Sequence, residues 1–186
     1  AEAIPRLRLR VICDRFPHPF PLAILPIAWQ AQTEARELAA GQIGVSWLPD
    51  DPWSRGKCGL KVLQYEAAGL PVVANPVGTH CEMIRRGETG FLATTPDDWA
   101  LAISLLAKDP TLRRQMGSAG REQVETDYSL SAWSETFVIS VTGGSRTAVS
   151  ANLKAERSTA FPGRPLMGAR SGRLSQNRTL NHAGDR

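Results

Sequence analysis

Cysteine is scarce and scattered, with Cys13, Cys58 and Cys81 the only three in 186 residues and no CxxC spacing among them. Histidine is as thin, at His18, His80 and His182. These residues supply neither a zinc-ligand pattern nor an even disulfide framework, so no metal is expected and a reducing, cytoplasmic setting is the default. Long apolar runs are missing too. No stretch approaches the roughly 18 residues of a membrane-spanning helix, which excludes a transmembrane segment, and no signal-peptide pattern follows Ala1. Aromatic residues are only 6% of the chain, too few to interleave with basic residues as a nucleic-acid stacking surface requires. Neither GxxxxGK[ST] nor GxGxxG occurs, which removes the P-loop and the dinucleotide fingerprint.

What is present is ordinary globular composition, 42% hydrophobic, with a formal charge of +4. The charge is unevenly placed. Residues 1–142 hold 14 basic and 16 acidic side chains, whereas residues 143–186 hold 8 and 2. The basicity therefore belongs to a tail. That tail opens with Gly143-Gly144-Ser145 and has seven large apolar residues in 44, too few to offset the entropy of ordering it. We read 143–186 as a disordered, solvated extension. Arg164, Arg170, Arg173 and Arg178 admit an electrostatic RNA or anionic-lipid reading, but they follow no amphipathic repeat. No nucleic-acid partner is expected, and peripheral contact with a membrane surface stays open.

The first 142 residues alternate strand-like and helix-like periods. Leu7–Cys13, Leu22–Trp29, Ile43–Leu48 and Pro71–Ala74 read as strands, the second with Pro26 at its end or at a sheet edge and the last buried on both faces. Helices are expected over residues 33–40 and from Leu60 to Ala68. A capping box is expected at Thr79 and Glu82. A helix starts at Thr95-Pro96-Asp97-Asp98, another runs from Asp109-Pro110 to a stop at Gly117, and a last one begins near Ser131. Trp99 and Trp133 are expected core anchors. Strand and helix in alternation with short connections give an α/β fold, a Rossmann-like doubly wound parallel sheet of about five strands.

Ligands of open parallel sheets bind beyond the strands' carboxyl ends, where loops enter helices. The segment of that kind is Asp50-Asp51-Pro52-Trp53-Ser54-Arg55-Gly56-Lys57-Cys58-Gly59-Leu60-Lys61-Val62-Leu63-Gln64. Gly56 and Gly59 allow a tight turn, the amides at Gly59 and Leu60 open a helix toward an anion, and Lys57 and Lys61 add positive charge. Gln64, one turn on, can address a hydroxyl pair. Together these suit a phosphate bearing a sugar. Lys57 reads either as a phosphate contact or as a solvated loop lysine, its adjacent glycines favouring contact, and Lys61 reads as solvated on the first helical turn. Cys58 reads as a small packing residue, His80 as a structural or surface residue, and Asp50 and Asp51 as turn formers rather than a catalytic acid pair.

The run from Gly59 through Glu66-Ala67-Ala68-Gly69-Leu70-Pro71 to Asn75-Pro76-Val77-Gly78 resembles the donor-binding signature of retaining glycosyltransferases of family 4, which have the GT-B fold. The likeness continues through Gly87–Leu92, Asp97-Asp98-Trp99 and Tyr128-Ser129, over about 135 residues. It implies that residues 1–142 are part of a nucleotide-sugar (donor) binding domain, the C-terminal half of a GT-B enzyme. The acceptor domain and the first donor-domain strand would be missing. It also implies a nucleotide diphosphate sugar as donor, transfer with retention, and no metal or other cofactor.

The family's signature carries two glutamates eight positions apart. Here those positions are Gly56 and Gln64, neither acidic. Gln64 can still bond ribose hydroxyls, but Gly56 cannot replace a carboxylate. Glu66 does not substitute for Gln64, since positions two apart face different sides of a helix. The resemblance therefore implies Gly56, Lys57, Cys58, Gly59, Leu60 and Gln64 as donor and phosphate contacts, names no catalytic residue, and leaves the acceptor unknown. The fragment would be inactive by itself. A non-catalytic nucleotide-sugar-binding or scaffold module of the same fold is the alternative.

Overall fold

The computed structural model describes residues 7–16 and 23–143. The basic tail beyond Gly143 lies outside them. The elements in chain order are β1 (Leu9–Cys13), β2 (Ile24–Ala28), α1 (Glu34–Ala39), β3 (Gly44–Ser46), α2 (Pro52–Arg55), α3 (Leu60–Ala67) and β4 (Val72–Ala74). They continue with α4 (His80–Met83), β5 (Gly90–Leu92), α5 (Pro96–Lys108), α6 (Pro110–Gln123) and α7 (Leu130–Thr142). A wide π turn over Val124–Tyr128 joins α6 to α7. The α/β architecture with parallel strands is the one the sequence predicts.

Every strand pair is parallel, yet the described strands form two sheets. One pairs β1 with β2, and the other has the order β3-β4-β5. Pro26 sits in the middle of β2, opposite Val11, on a strand paired on one side only, where a missing donor costs no ladder bond. β4 is buried throughout. Because successive side chains leave a strand on opposite faces, its residues feed two separate cores. Val72 and Ala74 pack with Val62 of α3, Met83 and Ile84 on one face. Val73 packs with Ala93, with Ala102 and Leu106 of α5, and with Met116 of α6 on the other.

Helix starts follow local chemistry. Thr95 and Asp98 form a reciprocal capping box at α5, and the Asp109 carboxylate accepts from the Thr111 and Leu112 amides at 2.8 and 2.9 Å. Three expectations need correction. Thr79 makes no capping bond with its helix, because its hydroxyl is spent on a loop described below. Gly117 does not stop α6. It lies buried inside the helix, packed so closely on the Gly69 carbonyl that a Cβ has no room, and α6 runs on to Gln123. Trp133 is no core anchor. It is 56% exposed on α7, its indole donating to the Asp127 carbonyl at 2.6 Å, whereas Trp99 does pack against the α5–α6 core.

Glu66 is the anomaly of the core. It is fully buried on α3, facing Gly120 of α6, and neither carboxyl oxygen has a hydrogen-bond partner. Burial pushes its pKa up from 4.5 to about 7, and the nearby Thr89 hydroxyl and Arg85 charge offset that only in part. The folded protein therefore binds this proton more tightly than the unfolded chain does. The cost is absent below about pH 4.5, grows as pH rises, and is complete above about 7. Glu66→Gln should remove up to about 3 kcal/mol of that loss. Urea denaturation at mildly acidic and at mildly alkaline pH tests this: the variant should gain stability over the parent only at the alkaline pH, and an equal change at both would contradict it.

Candidate functional site

The loop leaving β3 is shaped by its acids. Asp51 caps α2, its carboxylate accepting from the Ser54 amide at 2.8 Å and the Ser54 hydroxyl at 3.2 Å. Asp50 pairs with Arg55 at 2.6 Å, and that hydrogen bond holds its carboxyl below the usual range. Both acids are thus engaged as turn formers, as their place before Pro52 suggests.

A second loop, leaving β4, clamps the first. The Asn75 side-chain oxygen accepts from the Leu48 amide at 2.9 Å, and its NH2 donates to the Leu48 carbonyl at 2.6 Å. The Asn75 carbonyl in turn lies 2.9 Å from Nδ1 of His80, which is 1% exposed. A carbonyl can only accept, so Nδ1 carries the proton, and in the neutral ring Nε2 is left to accept from the Ser46 hydroxyl at 3.1 Å. His80 is structural, and it fixes the direction of a serine hydroxyl at the carboxyl end of β3. Thr79 beside it donates to the Lys57 carbonyl at 3.0 Å, which ties down the Gly56–Gly59 turn.

That turn delivers the chain into α3 through Gly59, whose φ of +66° is left-handed. A Cβ there would lie 2.5 Å from Met83 Sδ and 2.8 Å from Thr79 Oγ1. Both the backbone conformation and the packing therefore require glycine. In the first turn of α3 the Val62 amide donates to the Gly59 carbonyl at 2.9 Å, whereas Gly59, Leu60 and Lys61, whose amides precede the first helical acceptor, line a cleft of about 340 Å³. Its lining is Ser46, Leu48, Lys57, Cys58, Gly59, Leu60, Lys61 and His80. No carboxylate is among them, so the helix dipole and the lysines set its sign, and it suits an anion.

Of the candidate residues, Lys57, Cys58, Gly59 and Leu60 meet at this cleft, while Gly56 and Gln64 are not part of its lining. The two lysines differ. Lys61 Nζ donates to Glu34 at 3.2 Å and to Gln64 Oε1 at 2.9 Å, and that contact holds the Glu34 carboxyl below its ordinary value. Lys57 is exposed and makes no ion pair among the described residues. Cys58 is also exposed. Ser46 gains a role that sequence alone left unassigned; the only signal was its place at the end of a strand. Among the described residues no group of three or more His, Cys, Asp or Glu side chains is placed to hold a metal ion. No helix among them is long and apolar enough to cross a membrane.

Residues 52–123 match the family described as Glycosyl transferases group 1. The chain is similar to D-inositol 3-phosphate glycosyltransferase of Pseudarthrobacter chlorophenolicus, 38% identical over 85 residues, covering 45% of this chain and 19% of that one. It is also similar to N-acetyl-alpha-D-glucosaminyl L-malate synthase of Bacillus anthracis, 41% identical over 73 residues, covering 38% and 19%. The matched stretch thus spans about a fifth of the length of these relatives. Among solved structures, Anabaena HepE in complex with UDP-glucose aligns with a TM-score of 0.52 at 18% identity, over 66% of this chain and 32% of that one. TarM of S. aureus, in a complex that includes UDP, aligns with 0.51 at 21%, over 62% and 23%. At these identities the structures speak for the fold.

The requirement for glycine at position 59 makes its own prediction. Gly69 also has a positive φ, +72°, but nothing lies within 4 Å of a Cβ there. Gly69→Ala should cost about 1 kcal/mol for the backbone alone, and Gly59→Ala at least about 1 kcal/mol more for the displaced Met83 and Thr79. Chemical denaturation of the two variants measures the difference, and equal losses would refute the packing argument. The sequence match and the parallel α/β scaffold agree: residues 52–123 are similar to the glycosyltransferase group 1 family, in a chain whose fold is that of the solved glycosyltransferases it aligns with.

Proposed function

We propose that this chain is the donor-binding portion of a glycosyltransferase that transfers a sugar, with retention, from a nucleotide diphosphate sugar to an acceptor. The observation that carries this reading is the entry to α3: first-turn amides, opened by a left-handed Gly59, meet Lys57 in a cleft without carboxylates. A diphosphate is the group whose charge and acceptor oxygens match that arrangement. On this reading the α3 amides and Lys57 bind the diphosphate and stabilise its charge as it leaves, with no metal required. Ser46, oriented by His80, offers its free lone pairs to a donor hydroxyl at the cleft floor. Gln64 reaches a ribose hydroxyl only if it releases Lys61. Acceptor binding and turnover are assigned to parts of the longer proteins that this stretch does not match, and residues 1–186 alone are expected to bind donor without transferring sugar.

A specific observation keeps a second reading, a non-catalytic nucleotide-sugar-binding or scaffold module. Gly56 and Gln64 stand where the family has acids, and the cleft lining holds no carboxylate.

Calorimetric titration with UDP, GDP and UMP tests the site. A diphosphate should bind and UMP should bind more weakly, since it lacks the second phosphate. Lys57→Ala should weaken diphosphate binding about tenfold, close to 1.4 kcal/mol, whereas Lys61→Ala, already paired with Glu34, should change it less than about twofold. No diphosphate binding by the folded chain, or equal losses in both variants, would overturn the assignment.

A further inference from the structure

Ser46 ends β3 and His80 begins α4, yet both side chains meet at the cleft beside α3. Both are buried, His80 almost completely, so the contact between them is kept from bulk solvent. The Asn75 carbonyl accepts from Nδ1 at 2.9 Å, and that nitrogen keeps its proton whether the ring is neutral or charged. Any change in protonation is therefore confined to Nε2 and to its 3.1 Å contact with Ser46 Oγ.

Two arrangements satisfy that contact. With the ring neutral, Nε2 accepts the hydroxyl proton, and Ser46 shows the cleft only lone pairs. With a proton on Nε2, the ring donates to Ser46 Oγ, and the hydroxyl proton is free to point into the cleft. The first floor accepts and suits a ligand hydroxyl. The second donates, has a positive charge directly behind it, and suits a phosphoryl oxygen. Only hydrogens need move between the two, because the same heavy-atom positions serve both.

The surroundings decide what brings the second proton. Among the described residues, the titratable and charged groups lining the cleft with His80 are Lys57 and Cys58 of the turn and Lys61 of α3. β3 and the loop leaving β4 bring only the neutral Ser46 and Asn75 to the ring. On α4 itself the titratable neighbours are Cys81 and Glu82, both exposed and outside the lining. With no carboxylate in the lining, the counter-charge for an imidazolium has to arrive with the ligand, and a phosphoryl anion supplies it.

We propose that the cleft binds a phosphoryl anion together with a proton, that His80 Nε2 takes that proton from solvent, and that Ser46 thereby turns from acceptor to donor toward the anion. His80 is a positioning residue in this account, since it acts on the ligand through Ser46. The proposal rests on the assignment of a nucleoside diphosphate to the entry of α3, and it adds a proton to what that site binds. The neutral floor remains the one that serves a sugar hydroxyl. The coupling is reciprocal: an anion that draws a proton onto His80 must itself bind more tightly as pH falls, by up to about tenfold per pH unit for one proton.

The test reads the ring of His80 by 15N NMR on the full chain labelled at histidine, with UDP as the probe. The pH is about 7.5, well above the second phosphate pKa of about 6. His80→Gln identifies the signal among the three histidines. In the free chain His80 should show one protonated and one bare nitrogen, and with saturating UDP the two should become alike, as in an imidazolium. UDP affinity should rise at least about threefold from pH 8 to pH 7. Ser46→Ala, which keeps the ring but removes the hydroxyl that relays it, should lose most of that gain.

A ring that stays neutral in saturating UDP, while the amides of Gly59, Leu60 and Lys61 shift, overturns this proposal and leaves the diphosphate site standing. A ring already charged in the free chain overturns it as well, because no proton is left to take up. An undiminished gain in Ser46→Ala removes the relay. UDP that moves neither the ring nor those amides overturns the proposal together with the assignment beneath it.

Discussion

Complete burial of three residues, Val72-Val73-Ala74, organises this molecule. A strand covered on both faces must alternate between two cores, and here the alternation fixes α3 against one face and α5 with α6 against the other. Everything of functional interest hangs from the carboxyl end of that strand or is measured from it. Asn75 follows it directly and clamps the β3 exit at Leu48, and His80, five residues later at the start of α4, reaches back to Ser46. The cleft at α3 is the space between these fastened loops and the helix that β4 holds in place.

The polar groups around the cleft divide the labour. Asn75, His80 and Thr79 spend their hydrogen bonds on the protein, holding two loops and the Gly56–Gly59 turn in register. Lys57 and the first amides of α3 remain for a ligand. Lys61, a residue of the same type four positions on, is drawn off by Glu34 and Gln64. Charge composition alone counts the two lysines as equal, and geometry separates them.

Much of this was legible in the sequence because it rests on local rules. Thr95-Pro96-Asp97-Asp98 encodes a helix start through its own hydrogen bonds, and Pro71–Ala74 encodes a doubly covered strand through unbroken apolarity. The glycine-bounded basic turn that enters α3 was readable from Gly56 and Gly59 and from the charge of Lys57 and Lys61. What escaped depends on contacts far apart in the chain. Thr79 looks like a cap in its own helix, but its hydroxyl is better satisfied by Lys57, 22 residues away. Gly117 looks like a stop, but it is the point where α6 touches the Gly69 backbone. Trp133 has the right spacing for a core face, yet among the described residues it stays 56% exposed. The division of the described strands into two sheets is likewise invisible to periodicity, since each strand is individually sound and only their pairing is interrupted.

The central claim is that the entry to α3 is where a nucleotide diphosphate binds. The most direct measurement is the map of amide chemical-shift changes when UDP or GDP is added to the labelled chain. The account predicts that the largest changes fall on Lys57 through Lys61, with smaller ones at Ser46 and His80, and none at Arg10, Ile12 or Val45. Saturable shifts centred elsewhere, with the amides of Gly59, Leu60 and Lys61 unmoved, would contradict it.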